Sequence, residues 1–147
     1  MQPSEFVKKY NHYVDVVLEP KKFAEDLFLE DATFTIGNFP TATNHEQIAA
    51  GAQSVYNITK KLKHETTRLH VINDSCFISE GFVTYTIGDN VLDPIPLMSL
   101  FEVVMTGEGE RKIKNYRAYL NIDALFVAIG MDVTAGEDGK PTYAPRK

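Results

Sequence analysis

The hydrophobic pattern of the chain changes its period near the middle. Up to about residue 62, apolar residues recur every three or four positions, which is the period of an amphipathic helix. From Lys63 onward, apolar and polar residues alternate, which is the period of a β-strand. Helices followed by a run of strands predict an α+β fold.

The first half of the chain predicts three helices and one short strand. The apolar stripe of the first helix is formed by Phe6, Tyr10, Val14, Val17 and Leu18. Pro20 ends this helix or begins the second, because proline fits a first helical turn. A strand is predicted over residues 33–36. The spacing from Thr43 to Glu46 is that of a capping box, which predicts a third helix over roughly residues 44–62.

The second half predicts an antiparallel meander of strands over residues 63–73, 76–87, 96–105 and 112–122. If this sheet is strongly curved, the helices pack on its concave face and leave an internal cavity. The expected architecture is therefore a cone-shaped roll with N-terminal helices on a curved antiparallel sheet. Residues 1–129 are expected to form one domain. Residues 130–147 are expected to be a polar C-terminal tail, either disordered or lying over a neighbouring surface.

Charge and composition narrow the classes of partner that we expect for this protein. The net charge of −5 argues against nucleic acid or an anionic membrane, since both need a basic face. No apolar run approaches the roughly 18 residues of a membrane span, and the first residues lack the apolar core of a signal peptide, so we expect a cytoplasmic protein. No phosphate-binding glycine loop or nicotinamide fingerprint occurs, so we expect no cofactor. The single Cys76 cannot form an intrachain disulfide and is interpreted as an inert thiol.

The histidines of the second half do not suggest a metal site. His64 and His70 are six positions apart in one predicted strand, so they are expected on one face, about 20 Å apart. Two ligands at that distance cannot share one ion. No other cluster of ligand residues is present in the sequence, and we predict no metal.

Three segments resemble the nuclear transport factor 2-like superfamily and, within it, the SnoaL-like proteins: LEDATFTIGNFPTATNHEQI, EGFVTYTIGDN and KIKNYRAYLNIDALF. The resemblance covers roughly residues 4–128 and implies the cone-shaped fold. It implies a hydrophobic small molecule as ligand. Because the superfamily includes cyclases, isomerases, dehydratases, epoxide hydrolases and proteins without known catalysis, it does not select a reaction.

The known enzymes of the superfamily match this chain only in part. Limonene-epoxide hydrolases hold a water with a Tyr and an Asn, at positions that are Phe34 and Ile36 here. Their last-strand Asp falls on Asn121, and an amide cannot take the proton of that water, so an epoxide hydrolase is disfavoured. The proton-shuttling Asp of ketosteroid isomerases also falls on Ile36. Their oxyanion-holding Tyr falls on Tyr13.

The last strand carries two alternating sets of side chains. One set comprises Arg117, Tyr119 and Asn121; the other comprises Tyr116, Ala118, Leu120 and Ile122. The resemblance implies that the first set faces the cavity, where it binds a ligand or its members satisfy one another. It implies that the second, apolar set packs against a second subunit. We therefore expect a homodimer through the sheet.

The candidate site combines these residues. The catalytic candidates are Glu80, His64, Tyr13 and Asn121, and the substrate-binding candidates are Phe34, Ile36, Arg117, Tyr119, Phe82 and Met98. Glu80 is either a solvated charge or a buried acid with a raised pKa. One hypothesis is a cofactor-independent cyclase, isomerase or dehydratase acting on a hydrophobic, polyketide- or terpenoid-like compound. The other is a non-catalytic ligand-binding protein. A deep cavity with an inward carboxylate or histidine would favour the enzyme.

Overall fold

Three helices cover one face of a curved, mixed β-sheet. The computed structural model describes residues 1–107, 109–139 and 141–145. The helices that pack on the sheet are α1 (Pro3–His12), α2 (Pro20–Leu27) and α3 (His45–Ile58), and a π-helix (Tyr13–Val17) extends α1. A short helix α4 (Asp123–Ala128) follows the sheet. No helix in the described part of the chain is long and apolar enough to cross a membrane.

The sheet confirms the predicted meander and adds one parallel strand to it. Its strands are β1 (Phe28–Ile36), β2 (Lys61–Asn73), β3 (Cys76–Ile87), β4 (Asn90–Val91), β5 (Ile95–Thr106) and β6 (Glu110–Tyr119). The order across the sheet is β1-β6-β5-β3-β2, with β4 beside β3. The pairs from β2 to β6 are antiparallel, whereas β1 runs parallel to β6. The expected α+β cone-shaped roll is therefore confirmed.

Helix α3 begins one residue later and ends earlier than the sequence predicted. Its N-cap is Asn44, whose side chain accepts a hydrogen bond from the Gln47 backbone N–H. The Gln47 side chain reaches back to the backbone N–H of Thr43 at 2.9 Å. The reciprocal cap therefore uses Gln47 instead of Glu46. The helix ends at Ile58 because the backbone is extended from the next residue, and β2 begins soon after it.

Stacked aromatic rings fill the space between the helices and the sheet. Tyr116 of β6 lies between Tyr10 of α1, at 4.9 Å between ring centroids, and Phe34 of β1, at 5.2 Å. Fully burying one such side chain contributes roughly 1.5–3 kcal/mol. Tyr116 and Ala118 are only 2% and 4% exposed within this core. The expectation that their face packs against a second subunit is therefore wrong.

The predicted tail forms a hairpin that lies over a neighbouring surface. Strands β7 (Met131–Ala135) and β8 (Pro141–Pro145) pair antiparallel. Tyr143 packs on Phe126, with 4.2 Å between ring centroids, and its hydroxyl donates to the Asp123 carboxylate at 3.1 Å. These contacts attach the hairpin to α4. Within the predicted tail, Lys140, Arg146 and Lys147 lie outside the described residues.

Strand β2 approaches β3 so closely at Gly81 that we predict that only glycine fits this position. A Cβ atom at this position would lie 1.8 Å from the Glu65 carbonyl oxygen, so the backbone would have to move. Gly81→Ala should lower the free energy of unfolding by roughly 3 kcal/mol. Gly51→Ala is the matched control, because no atom lies within 4 Å of its Cβ position. Gly51→Ala, which lies in a helix, should raise the free energy of unfolding by roughly 0.5–1 kcal/mol. Equal free energies of unfolding for the two variants in urea would contradict the prediction.

The buried tyrosines predict a loss of stability at alkaline pH. Desolvation raises the pKa of Tyr10, Tyr85 and Tyr116. Desolvation, with the charge of Asp15, raises the pKa of Tyr56 to about 12. Unfolded tyrosines titrate near 10. Above that pH the unfolded chain binds fewer protons than the folded chain, so the free energy of unfolding falls by about 1.4 kcal/mol per pH unit for each tyrosine that stays protonated.

Urea unfolding of Tyr56→Phe at several pH values should isolate the contribution of Tyr56 to this loss of stability. Because this variant lacks one raised pKa, its stability should fall less steeply than that of the wild type between the unfolded pKa and about 12. Below that window the two pH dependences should run parallel. Identical slopes inside the window would show that Tyr56 does not stay protonated in the folded protein.

Candidate functional site

An apolar cavity opens between the helices and the concave face of the sheet. Its outer chamber has a volume of about 830 Å³ and lies beside the crossover from β1 to α3. Its walls come from β1, the crossover, α3 and α4, with the residues Phe34, Ile36, Phe39, Pro40, Val55, Ile58, Leu125 and Phe126. This volume is in the range of small-molecule sites.

A narrow inner cavity of about 60 Å³ adjoins the outer chamber. The two spaces share Phe34, Ile36, Val55 and Tyr85 in their walls. Its walls are mostly apolar, and their polar side chains are His64, Tyr10, Tyr56, Tyr85 and Tyr116. It can hold a few waters or the end of a larger ligand, but not a whole ring system. The inner cavity therefore has a histidine and several tyrosines in otherwise apolar walls.

His64, which lines the inner cavity, forms a close and largely buried pair with Asp15. The His64 Nδ1 atom lies 2.6 Å from Asp15 Oδ1, and the His64 backbone N–H donates to Oδ2 at 2.7 Å. The two side chains are 12% and 15% exposed. A carboxylate only accepts hydrogen bonds, so in the neutral imidazole Nδ1 carries the proton and Nε2 carries the lone pair. The pair therefore presents a base.

Local backbone features bring Asp15 to His64. The last turn of α1 widens into the π-helix, in which the Leu18 N–H donates to the Tyr13 carbonyl. This wider turn takes more residues than an α-turn, so the stripe of α1 continues to Val14, which packs on the core, but not to Leu18, which is 43% exposed. Strand β2 lies at the edge of the sheet and has N–H groups without a strand partner. The Asp15 carboxylate accepts one of these.

The electrostatics of the inner cavity keep its tyrosines neutral. Desolvation is the largest cause that raises the pKa of Tyr56 and Tyr85, and the Asp15 charge raises both further. The pKa of Tyr116 is raised by desolvation and partly lowered by its hydrogen bonds with Ser99 and Tyr10. At neutral pH these side chains are therefore hydroxyls, which can donate a hydrogen bond.

Three of the candidates from the sequence lie in the cavity wall. Phe34 and Ile36 line both chambers, and His64 lines the inner one. Their apolar and basic side chains therefore meet in one place. Their roles toward a ligand stay predictions.

Glu80, Phe82 and Met98 lie on the opposite face of the sheet, so their expected positions in the cavity are wrong. Phe82 and Met98 are 37% and 42% exposed. The Glu80 side chain is 41% exposed and lies 2.9 Å from His70 Nε2. The inward residues of β3 are instead the alternate set that includes Val83 and Tyr85. Glu80 is therefore a solvated charge and not a buried acid.

The remaining polar candidates also lie outside the apolar cavity. Arg117 and Tyr119 point away from the helices, with the guanidinium 6.0 Å from the tyrosine ring centroid. The Tyr13 hydroxyl donates to Asp26 at 2.7 Å, and this bond with desolvation raises the pKa of Tyr13 to about 12. The Asn121 side chain accepts from the Asp123 N–H at the start of α4.

Asn121 instead borders a second cavity of about 680 Å³ beneath the C-terminal hairpin. Its side chain is exposed and forms the short turn that leads into α4. The predicted catalytic position of Asn121 in the apolar cavity is therefore wrong.

The two strand histidines do not share a face. His64 lies opposite Val83 and faces the cavity, whereas His70 lies opposite Ile78 and faces outward. The register between them shifts at a bulge between Thr66 and Arg68, which changes the side-chain alternation. Among the described residues, no group of three His, Cys, Asp or Glu side chains could hold a metal ion.

Asp15, Tyr56 and Tyr85 were missed by the sequence analysis. Tyr85 follows Val83 at period two, so the same alternation that excludes Glu80 could have found it. Tyr56 lies beside Val55 on the inward side of α3, next to the predicted stripe. Asp15 has no such signal, because a regular helical period does not contain a π-turn.

Structural comparison gives the fold. Nuclear transport factor 2 from Cryptosporidium parvum superposes with a TM-score of 0.66 at 19% identity, covering 80% of this chain and 90% of that chain. A candidate scytalone dehydratase from Novosphingobium aromaticivorans gives 0.65 at 15% identity, covering 80% of both chains. A candidate SnoaL-like polyketide cyclase from Jannaschia gives 0.63 at 11% identity, covering 88% of this chain and 95% of that chain.

The sequence itself matches no family model and no curated protein. At the identities found, the structural likeness shows the fold and not the activity. This chain has the nuclear transport factor 2-like fold, which it shares with ketosteroid isomerase-like and SnoaL-like proteins.

Proposed function

We propose that the protein is a cofactor-independent enzyme that moves protons on a hydrophobic small molecule, as isomerases, cyclases and dehydratases do. The observation that carries the proposal is the Asp15–His64 pair, whose histidine lines the apolar cavity. A base held by a carboxylate and facing a shaped pocket is the arrangement that general acid–base catalysis needs.

Each member of the pair has a distinct role in this proposal. Asp15 accepts a hydrogen bond from Nδ1–H and so holds the ring in one orientation and one tautomer. His64 then takes a proton from the ligand through Nε2 and later returns it. The imidazolium formed in between is stabilised by the adjacent carboxylate. Asp15 is thus a positioning residue, and His64 is the proposed catalytic base.

The shape of the cavity supports a ligand with an apolar body and one polar end. The outer chamber holds about 830 Å³ and has mostly aliphatic and aromatic walls, which suits two to three fused rings. Polyketide- and terpenoid-like compounds have this character. Two structural neighbours carry the names of a dehydratase and a polyketide cyclase, which agrees with the proposed class of reaction.

A non-catalytic ligand-binding protein is the alternative. It is favoured by the apolar side chains at Phe34 and Ile36, where relatives of this fold place catalytic groups, and by the absence of a carboxylate at Asn121. In that case His64 would only form a hydrogen bond with the ligand. The two functions differ in whether the protein removes a proton from a carbon atom of the ligand.

Hydrogen–deuterium exchange tests the enzyme. Mono-, bi- and tricyclic ketones are incubated in D₂O with the protein, and the deuterium gained beside the carbonyl is measured by mass spectrometry. Wild type should accelerate exchange of at least one ketone. His64→Gln keeps a polar side chain but lacks the base, so it should lower the rate by about 10²–10⁴-fold.

Asp15→Asn is the companion variant. Its amide can donate to Nδ1, which moves the proton to Nε2 and removes the base without emptying the site. The exchange rate should fall by about 10²-fold or more, while ligand affinity changes little. Ligands that bind wild type and both variants equally, with no exchange in any of them, would support the binding protein and contradict the enzyme.

We also propose a homodimer through the outer face of the sheet, with residues that differ from those the sequence suggested. Phe82, Met98 and Tyr119 are 37%, 42% and 55% exposed on this face. Met98 lies opposite both Glu80 and Tyr119 in the strand register, so the exposed apolar side chains are neighbours. A contiguous exposed apolar patch of this kind is typical of a protein interface.

Met98→Glu tests this interface. The substitution would bury an unpaired charge at the centre of the patch and cost several kcal/mol of association free energy. Light scattering at micromolar concentration should show a dimer for wild type and a monomer for the variant. Val16→Glu is the control, since Val16 is 63% exposed in the π-helix, on the helical side of the sheet and away from the patch. Monomeric wild type, or a dimeric Met98→Glu protein, would refute this interface.

A further inference from the structure

Tyr85 places an unsatisfied hydroxyl on the wall of the cavity. The residue is 6% exposed and lines both the inner cavity and the outer chamber. Within the described residues, its hydroxyl has no hydrogen-bond partner. Every fully buried side-chain nitrogen or oxygen in the same residues does have a partner. The hydroxyl must therefore be open to the cavity, where a ligand or water can reach it.

Tyr116 and Tyr13 differ from Tyr85 in this respect. The Tyr116 hydroxyl is 2.9 Å from Ser99 Oγ, and the Tyr13 hydroxyl is occupied by Asp26. A buried hydroxyl without a partner costs free energy, so such groups in folded proteins usually serve a ligand or hold water. The free hydroxyl of Tyr85 is thus a second observation, independent of His64, that indicates a ligand.

The position of Tyr85 relates it to the proposed base. Tyr85 lines both the outer chamber and the inner cavity, whereas His64 lines only the inner cavity. A ligand that extends from the outer chamber into the inner cavity therefore meets walls that contain both residues. Burial, the neighbouring Tyr116 and the Asp15 charge raise the pKa of Tyr85, so the group is a donor at neutral pH.

We propose that Tyr85 donates a hydrogen bond to an oxygen at the buried end of the ligand and thereby selects compounds with a carbonyl or phenolic oxygen. This recognition stands without catalysis, and only its catalytic consequence rests on the proposed function. The ligand class is therefore a planar, mostly apolar compound with one oxygen at the end that enters the inner cavity. Without that oxygen, the hydroxyl stays unpaired in the complex.

The catalytic consequence follows from the same contact. When His64 Nε2 takes a proton from the carbon next to the carbonyl, the C–H electron pair forms a C=C bond and the carbonyl electrons move onto oxygen. The hydrogen bond from Tyr85 stabilises the charge on that oxygen. The proton on His64 then returns to a carbon of the ligand, so no oxidant, reductant or other reactant is needed.

Binding of 2-naphthol and naphthalene tests the recognition. The two probes share one ring system and differ by the oxygen. Affinities are measured by NMR titration for wild type and for Tyr85→Phe. The variant should lose about tenfold in affinity for 2-naphthol, which corresponds to one hydrogen bond, and should bind naphthalene within twofold of wild type. Equal loss for both probes, or no loss for 2-naphthol, would overturn the proposal.

Thr84→Val is the matched control. It removes a hydroxyl from the residue beside Tyr85 in β3, where the alternation of the strand places the side chain on the opposite face of the sheet. The preference for 2-naphthol should stay unchanged in this protein. If it falls as far as in Tyr85→Phe, the selection by Tyr85 is refuted, because the effect would not depend on the cavity.

Deuterium exchange separates this proposal from the proposed function. If His64→Gln loses exchange and Tyr85→Phe keeps the full wild-type rate, the contribution of Tyr85 to the reaction is overturned and the enzyme stands. If wild type exchanges no ketone, yet Tyr85→Phe abolishes the naphthol preference, the recognition by Tyr85 is upheld and the enzyme fails. The two proposals therefore fail on different measurements.

Discussion

The stack of Tyr10 on Tyr116 on Phe34 is the contact on which the rest of the structure depends. It joins α1, β6 and β1 through ring planes inclined by 23° and 16°. Offset stacks of this kind add about 0.5–1.5 kcal/mol each to the burial of the rings. Because Tyr10 lies one turn before the π-helix, the stack also fixes where that π-helix meets the sheet. The distance from Asp15 to His64 follows from this placement.

The π-helix is a local cost that the Asp15–His64 contact offsets. The segment ends at Leu18, which has a φ of 56° and is the only non-glycine residue with positive φ among those described. A left-handed conformation at such a residue costs on the order of 1–3 kcal/mol. Asp15 in return satisfies both a backbone N–H and a ring nitrogen of β2. Backbone strain and π-turns are common at functional sites, which agrees with the position of this segment beside the candidate base.

The sequence predicted the positions of the helices and strands well. It predicted poorly which face of each strand points to the core. The period change near Lys63 located the meander, because alternation survives in every strand that covers a core. The faces were wrong on β6, since the family resemblance was preferred over the simpler rule that the wholly apolar set is buried. Tyr116 and Ala118 follow that rule. The outward turn of His70 depends on a bulge, which has no reliable signal in a single sequence.

The site combines two requirements that conflict in most proteins, an apolar cavity and several polar groups inside it. The conflict is resolved by the charge state of each group. Tyr56 and Tyr85 stay neutral because burial and the Asp15 carboxylate both disfavour a phenolate. The Asp15 carboxylate accepts two hydrogen bonds from His64. The inner cavity therefore offers donors and a base without an unpaired charge, and only a ligand with a polar end can use them.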